Sequence, residues 1–143
     1  MHSACEQGER TLYVNYEESP RGMLAGMQSL GIDLKPALES DRLEILSLMP
    51  ESLGMEEQLF LLFRTLERFR PDHLVLDAIS ACQRIAGEAA AFDFLIRIIS
   101  ACREQGITTL LINQARGSAD HHELSGIGLS SIIDAIVTLN YRE

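Results

Sequence analysis

A doubly wound α/β layer built on a mostly parallel sheet is the fold class this sequence predicts, and three observations predict it. Short apolar runs suited to strands alternate with longer stretches whose apolar residues recur at helical spacing. The run 73–77 is short and nearly all apolar, as expected of a strand covered on both faces, and 107–113 reads as another buried strand. Several runs then end in acidic or amide side chains, at the strand ends where open α/β sheets place their ligands. The 143 residues, 46% hydrophobic and 23% charged, suit one globular domain with a real core.

The elements follow in order. Residues 3–7 read as the last turns of a helix closed by Gly8. Tyr13, Val14 and Tyr16 favour a strand over 11–16. Ser19 as cap and Pro20 in the first turn then open a helix over 20–30, stopped by Gly31. Pro36 belongs to a short helix ending at Ser40, and a second strand covers 43–48. Leu59, Leu62, Phe63, Leu66 and Phe69 form one stripe of a helix over 55–69, which Pro71 ends. The strand 73–77 leads to a helix over 88–104 with Gly106 beyond it, and 107–113 is the next buried strand. Residues 115–128, with Gly117, Gly126 and Gly128, read as a loop. Residues 132–133 and 135–139 are expected to supply an edge or closing strand. Met23, Met27, Met49 and Met55 read as filling for core gaps.

Composition removes several function classes. A net charge of −9, with only 12 Lys and Arg, argues against nucleic acid as a partner. No apolar run reaches the ~18 residues that span a bilayer, so no membrane association is expected. Residues 1–6 lack the basic-then-apolar layout of a signal peptide. Cys5, Cys82 and Cys102 are odd in number and share no CxxC spacing, which reads as reduced thiols in a cytoplasmic protein. Asp120, His121, His122 and Glu123 have no second cluster at ligand spacing and read as a solvated loop. Arg64, Arg68 and Arg70 read as a solvated helix face.

Glu17 and Glu18, Asp77, and Asn113 with Gln114 each come at the end of a predicted strand. In a parallel sheet such ends share one edge, so these groups can converge on one crevice. An apolar strand ending in Asp suits a Mg²⁺-nucleotide site, because the carboxylate orients metal-bound water beside the phosphates. A Glu one strand away can polarise an attacking water, and a nearby amide can sense the terminal phosphate. The plainer alternatives are that Glu17 and Glu18 charge the start of the next helix and that Asp77 caps the one after β-strand 73–77.

The segments CEQGERTLYVNYEESP (5–20), SLGIDL (29–34), ILSLMPESLGMEEQL (45–59), RPDHLVLDAISA (70–81), GITTLLINQ (106–114) and HHELSGIGLSSIIDAIVTLNYRE (121–143) carry a resemblance. In this order and spacing they resemble the KaiC family of RecA-like ATPases, in particular the second, C-terminal ATPase domain of that family. The resemblance implies a RecA-like P-loop NTPase three-layer domain. It implies ATP and Mg²⁺ as cofactors, hydrolysis at a subunit interface, and self-association in a ring, usually a hexamer. Position by position, it makes Glu17 and Glu18 the catalytic glutamates, with the general base at Glu17. Asp77 becomes the Walker B aspartate acting on Mg²⁺ through water, Asn113 the phosphate-sensing residue, and Arg84 an arginine near the subunit interface. Ser130 and Ser131 match a Ser-Thr pair that undergoes autophosphorylation, although the second is Ser here, and a simple turn is the preferred reading of them.

One departure is large. RecA-like ATPases hold phosphates in a GxxxxGK[ST] loop whose lysine reaches the β- and γ-phosphates. The one lysine here is Lys35, followed by Pro36, and no Gly-Lys pair occurs. The expectation is therefore a partial ATPase domain over 1–143 that lacks the phosphate-loop strand and binds ATP weakly or not at all. That strand would lie between 107–113 and 132–139. Without it, those two segments are expected to pair with each other or with another chain. The rival expectation is a non-enzymatic interaction module that docks to signalling partner proteins.

Overall fold

In the computed structural model, which describes residues 1–48, 53–114 and 129–139, four five-residue strands form one parallel sheet. They are β1 (Thr11–Asn15), β2 (Leu43–Ser47), β3 (His73–Asp77) and β4 (Thr108–Ile112), in the spatial order β2-β1-β3-β4. Six helices accompany them: α1 (His2–Glu6), α2 (Pro20–Ser29), α3 (Lys35–Glu39), α4 (Met55–Phe69), α5 (Ser80–Ala86) and α6 (Glu88–Glu104).

The helix ends reflect local chemistry. Ser19 Oγ accepts the Gly22 N–H at 3.2 Å, and Pro20 supplies the fixed φ of the first turn of α2. At the start of α4 the Glu57 carboxylate accepts the Gly54 N–H at 3.1 Å, while Glu56 and Glu57 sit at the positive end of the helix dipole. Arg70, left-handed at φ 49°, stops α4 one residue before Pro71.

Strand alternation divides the core into two layers. Leu12, Val14, Tyr16, Leu74 and Leu76 face α4, α5 and α6, where they pack with Leu62, Leu66, Cys82, Leu95 and Ile98. Tyr13 and Val75 face the other way, onto Cys5, Met23, Leu34 and Ala37 of the α1–α3 side. This is the three-layer arrangement expected of strands buried on both faces.

The layering also fixes where a ligand crevice falls. The chain leaves β1 through α2 and α3 on one face toward β2, and leaves β3 through α5 and α6 on the opposite face toward β4. Strands β1 and β3 are neighbours whose connections depart in opposite directions, which makes the gap between their carboxyl ends the topological switch point.

Two expectations need correction. No strand exists at 132–133 or 135–139; instead Leu129–Ser131 form a single 3₁₀ turn and the chain continues without regular structure. A strand requires a ladder for its backbone N–H and C=O groups, and this segment is held elsewhere. The Arg103 guanidinium donates to the Ile132 carbonyl at 2.7 Å and to the Asp134 carboxylate at 3.0 Å, tying the chain to the end of α6. Val137 and Leu139 then lie 84% and 90% exposed. The expected pairing of this segment with β4 is accordingly absent, so β4, expected as a buried strand, is instead a partly exposed edge strand among the described residues, with Leu110 57% exposed. The second correction is α5. Sequence periodicity does not mark this seven-residue helix, because it is too short to show a repeat. The loop expected at 115–128 and the acidic-histidine run 120–123 lie outside the described residues, as does Met49.

Candidate functional site

The register of the sheet sets the site. Asn15 stands opposite Ser47 on one side and Asp77 on the other, and Asp77 stands opposite Ile112. The carboxyl ends of all four strands are therefore level, and the residues just beyond β1, β3 and β4 share one rim at the switch point.

At the end of β1, buried Asn15 organises the turn. Its Oδ1 accepts the N–H groups of Glu17 at 2.8 Å and Glu18 at 3.0 Å, an Asx-type turn that bends the chain off the sheet. Glu17 swings toward α5 and the end of β4. Arg84 Nη2 donates to Glu17 Oε1 at 2.5 Å, and Gln114 Nε2 approaches Oε2 at 3.4 Å. Both partners of the ion pair are partly exposed, so the bridge stabilises the fold by at most ~1 kcal/mol and its main effect is to aim the carboxylate. Glu18 is exposed to solvent. Neither glutamate lies in the first turn of α2; both come just before its cap, Ser19.

Asp77 closes β3. Its carboxylate accepts a short hydrogen bond from the Tyr13 hydroxyl and caps no helix; α5 begins after Ile79 with no side-chain cap. The Asp77–Ala78 peptide is cis, and the Ile79 N–H donates to the Ile112 carbonyl at 2.8 Å, which ties the exit of β3 to the end of β4. Burial first, then the hydrogen bond to Asp77 and the charges of Asp77 and Glu18, hold the Tyr13 phenol well above its ordinary pKa. Tyr13 is therefore a neutral donor at neutral pH. Beneath α5, the buried Tyr16 hydroxyl and Cys82 thiol are neighbours. Burial raises both, the thiol to about 11. Neither is a nucleophile at neutral pH.

Asn113, half-buried, comes directly after Ile112 and so stands beyond the residue paired with Asp77. The level register puts the ends of β1, β3 and β4 at one edge of the sheet, where the Tyr13–Asp77 pair lies on the α1–α3 side and Glu17 meets Arg84 on the α5 side. Ser131 is exposed in the 3₁₀ turn anchored by buried Leu129, whereas the Ser130 side chain lies outside the described residues. Sequence reasoning missed Tyr13 and Asn15 as site residues and gave Gln114 no role of its own. The available signal was a hydroxyl and an amide two residues apart on one face of a buried strand, since polar atoms there need partners.

No group of three or more His, Cys, Asp or Glu side chains among the described residues could hold a metal ion directly. Asp77 has one carboxylate oxygen taken by Tyr13. No helix among the described residues is long and apolar enough to cross a membrane.

A family model described as "ATPase: KaiC" matches residues 1–143. The circadian clock oscillator protein KaiC of Synechococcus elongatus is 29% identical over 143 residues, covering 100% of this chain and 28% of that protein. Circadian clock protein KaiC2 of Synechocystis is 30% identical over 138 residues, covering 96% of this chain and 24% of that protein. KaiC of Rippkaea orientalis is 29% identical over 143 residues, covering 100% of this chain and 27% of its own length. The chain thus spans about a quarter of the length of these curated relatives. A parallel sheet with helices on both faces agrees with a RecA-like α/β fold. With the match running from the first residue to the last, this chain belongs to the KaiC family of ATPases.

Proposed function

We propose that residues 1–143 form the water-activating and cation-facing part of a KaiC-type ATPase domain. The observation that carries this reading is the level register of β1, β3 and β4, which gathers Glu17, Asp77 and Asn113 at the switch-point rim. Glu17 is the general base: Arg84 fixes one oxygen, and the other, only loosely approached by Gln114, can accept a proton from water. Asp77 would serve the water shell of a Mg²⁺ ion with the oxygen that Tyr13 leaves unbonded among the described residues, and Asn113 would serve the terminal phosphate. Bound Mg²⁺ neutralises charge developing on the transferred phosphoryl group. Arg84, exposed on α5, is read as an arginine near the interface with a neighbouring subunit of a hexameric ring, a role its contact with Glu17 leaves to be tested.

The phosphates themselves have no cradle in this sequence, which contains no Gly-Lys pair. Mg-ATP should bind the chain alone weakly, with Kd above about 1 mM by equilibrium dialysis, an affinity that gives little retention. Joining a GxxxxGK[ST] strand–loop segment ahead of residue 1 should restore hydrolysis. Glu17→Gln in that extended protein should then lower turnover by about 100-fold or more, the scale of a general base, while nucleotide stays bound. Tight binding by the unextended chain, or hydrolysis indifferent to Glu17→Gln, would refute the assignment.

The missing Gly-Lys pair favours a second reading, a KaiC-like module without nucleotide chemistry that works by docking to signalling proteins. Failure of the extended protein to bind Mg-ATP selects it. Autophosphorylation at Ser130 or Ser131 is a third outcome, read as radiolabel from γ-labelled ATP on those residues.

A further inference from the structure

We propose that Tyr13 is a positioning residue for Asp77: its hydroxyl holds one carboxylate oxygen so that the other faces the crevice toward a divalent cation's water shell. This rests on the reading of Asp77 given above, and it assigns to a core tyrosine a task at the rim.

The geometry makes the case. Tyr13 pairs in register with Val75, and Asn15 with Asp77, so Tyr13 and Asp77 are diagonal neighbours on one face of the β1–β3 pair. That separation of about 7–8 Å between backbones is within the reach of an aromatic side chain. Tyr13 is 7% exposed among apolar residues of the α1–α3 layer, where a phenylalanine would fill the same space. The hydroxyl is the only part that packing does not require, and it ends on the carboxylate. Arg84, the cation nearest in the sequence of the rim, is paired with Glu17. Tyr13 is thus the donor to the Asp77 side chain among the described residues.

The choice of donor has a chemical consequence. An arginine or lysine in this place would orient the carboxylate but cancel the negative charge that a cation's water shell needs. A phenol orients it and leaves the charge.

The test uses the ¹⁵N-labelled chain with Mn²⁺ alone as the probe, read as line broadening of the Ala78 and Ile79 amides. Four proteins are compared: wild type, Tyr13→Phe, Asp77→Asn and the double variant. Tyr13→Phe keeps the ring, and a superposable amide spectrum away from the rim verifies its fold. Wild type should show local broadening that Asp77→Asn removes. Tyr13→Phe should need about three- to tenfold more Mn²⁺ for half-broadening, the scale of re-immobilising one freed side chain. The double variant should match Asp77→Asn, because a positioning residue has nothing to position once the carboxylate is gone. Tyr13→Phe titrating like wild type, or weakening the Asp77→Asn protein further, overturns the proposal while the reading of Asp77 stands. Asp77→Asn titrating like wild type, or wild type showing no local broadening, removes the reading of Asp77 itself and this proposal with it.

Discussion

Raising the pH from 9 to 11 should weaken this fold in part through the buried thiol of Cys82, and Cys82→Ala should remove that part. Cys82 lies fully buried on α5 against Tyr16 of the β1 exit, so it helps hold α5, and with it Arg84, over the rim. Burial raises the thiol from its ordinary 9.0 to about 11, outweighing the opposing influences of Tyr16, its own backbone and Arg84. Below pH 9 the thiol is protonated in both folded and unfolded chains, and its contribution to stability is complete. Between pH 9 and 11 the unfolded chain loses the proton while the folded chain keeps it, so stability falls as pH rises. The slope approaches 1.4 kcal/mol per pH unit, and the loss reaches about 2 kcal/mol by pH 11. Urea denaturation under reducing conditions, followed by circular dichroism at several pH values from 8 to 11, measures it. Tyr13 and Cys102 shift stability in the same direction in both proteins, whereas Tyr16 is raised partly by Cys82 itself, so the difference between wild type and Cys82→Ala reads the coupled Tyr16–Cys82 pair. At pH 8 the wild type should be the more stable by about 1 kcal/mol, the scale of a small core truncation. That advantage should vanish or reverse by pH 11. A gap constant across the range would show that the thiol is not held protonated by burial, and the packing of α5 on Tyr16 would have to be reconsidered.

Two further outcomes concern stability and association. Gly8→Ala should cost about 1–2 kcal/mol in urea denaturation, because φ of +95° disfavours any side chain. A Cβ there would also sit 2.6 Å from Arg42 Nη1, which would have to move; an unchanged midpoint would show that the α1–β1 turn relaxes freely. Leu110→Lys should lower concentration-dependent self-association in sedimentation velocity while leaving the melting midpoint nearly unchanged, since a charge protects an open edge strand. Equal sedimentation of the two proteins would mean that β4 is not the surface that associates.

Much of the architecture was legible from residue order. The stripe Leu59, Leu62, Leu66 and Phe69 and the stop at Pro71 mark α4, and its observed bounds, Met55–Phe69, coincide with the reading. The apolar run ending at Asp77 marks β3 equally well. Local signals succeed there because hydrophobic period, caps and breakers all agree. They fail at 135–139, where a mostly apolar segment reads as a strand but finds no ladder, because strand formation depends on a distant partner. They fail again at α5, whose seven residues are placed by packing on Tyr16 and by the Ile79–Ile112 hydrogen bond.

The site divides in the same way. Residue types and positions alone determined that carboxylates and amides close three strands and that no phosphate-holding Gly-Lys pair is present, because both are properties of chain order. Which of those groups meet was decided only by the tertiary structure. Parallel register levels residues far apart in the chain, Asn15 and Asp77, and sends the Tyr13 phenol diagonally to one carboxylate. Arg84 reaches Glu17 because α5 folds back over β1. Side-chain partnership across such sequence distances depends on sheet order and on which face each residue takes, and neither is written in any local stretch of the chain.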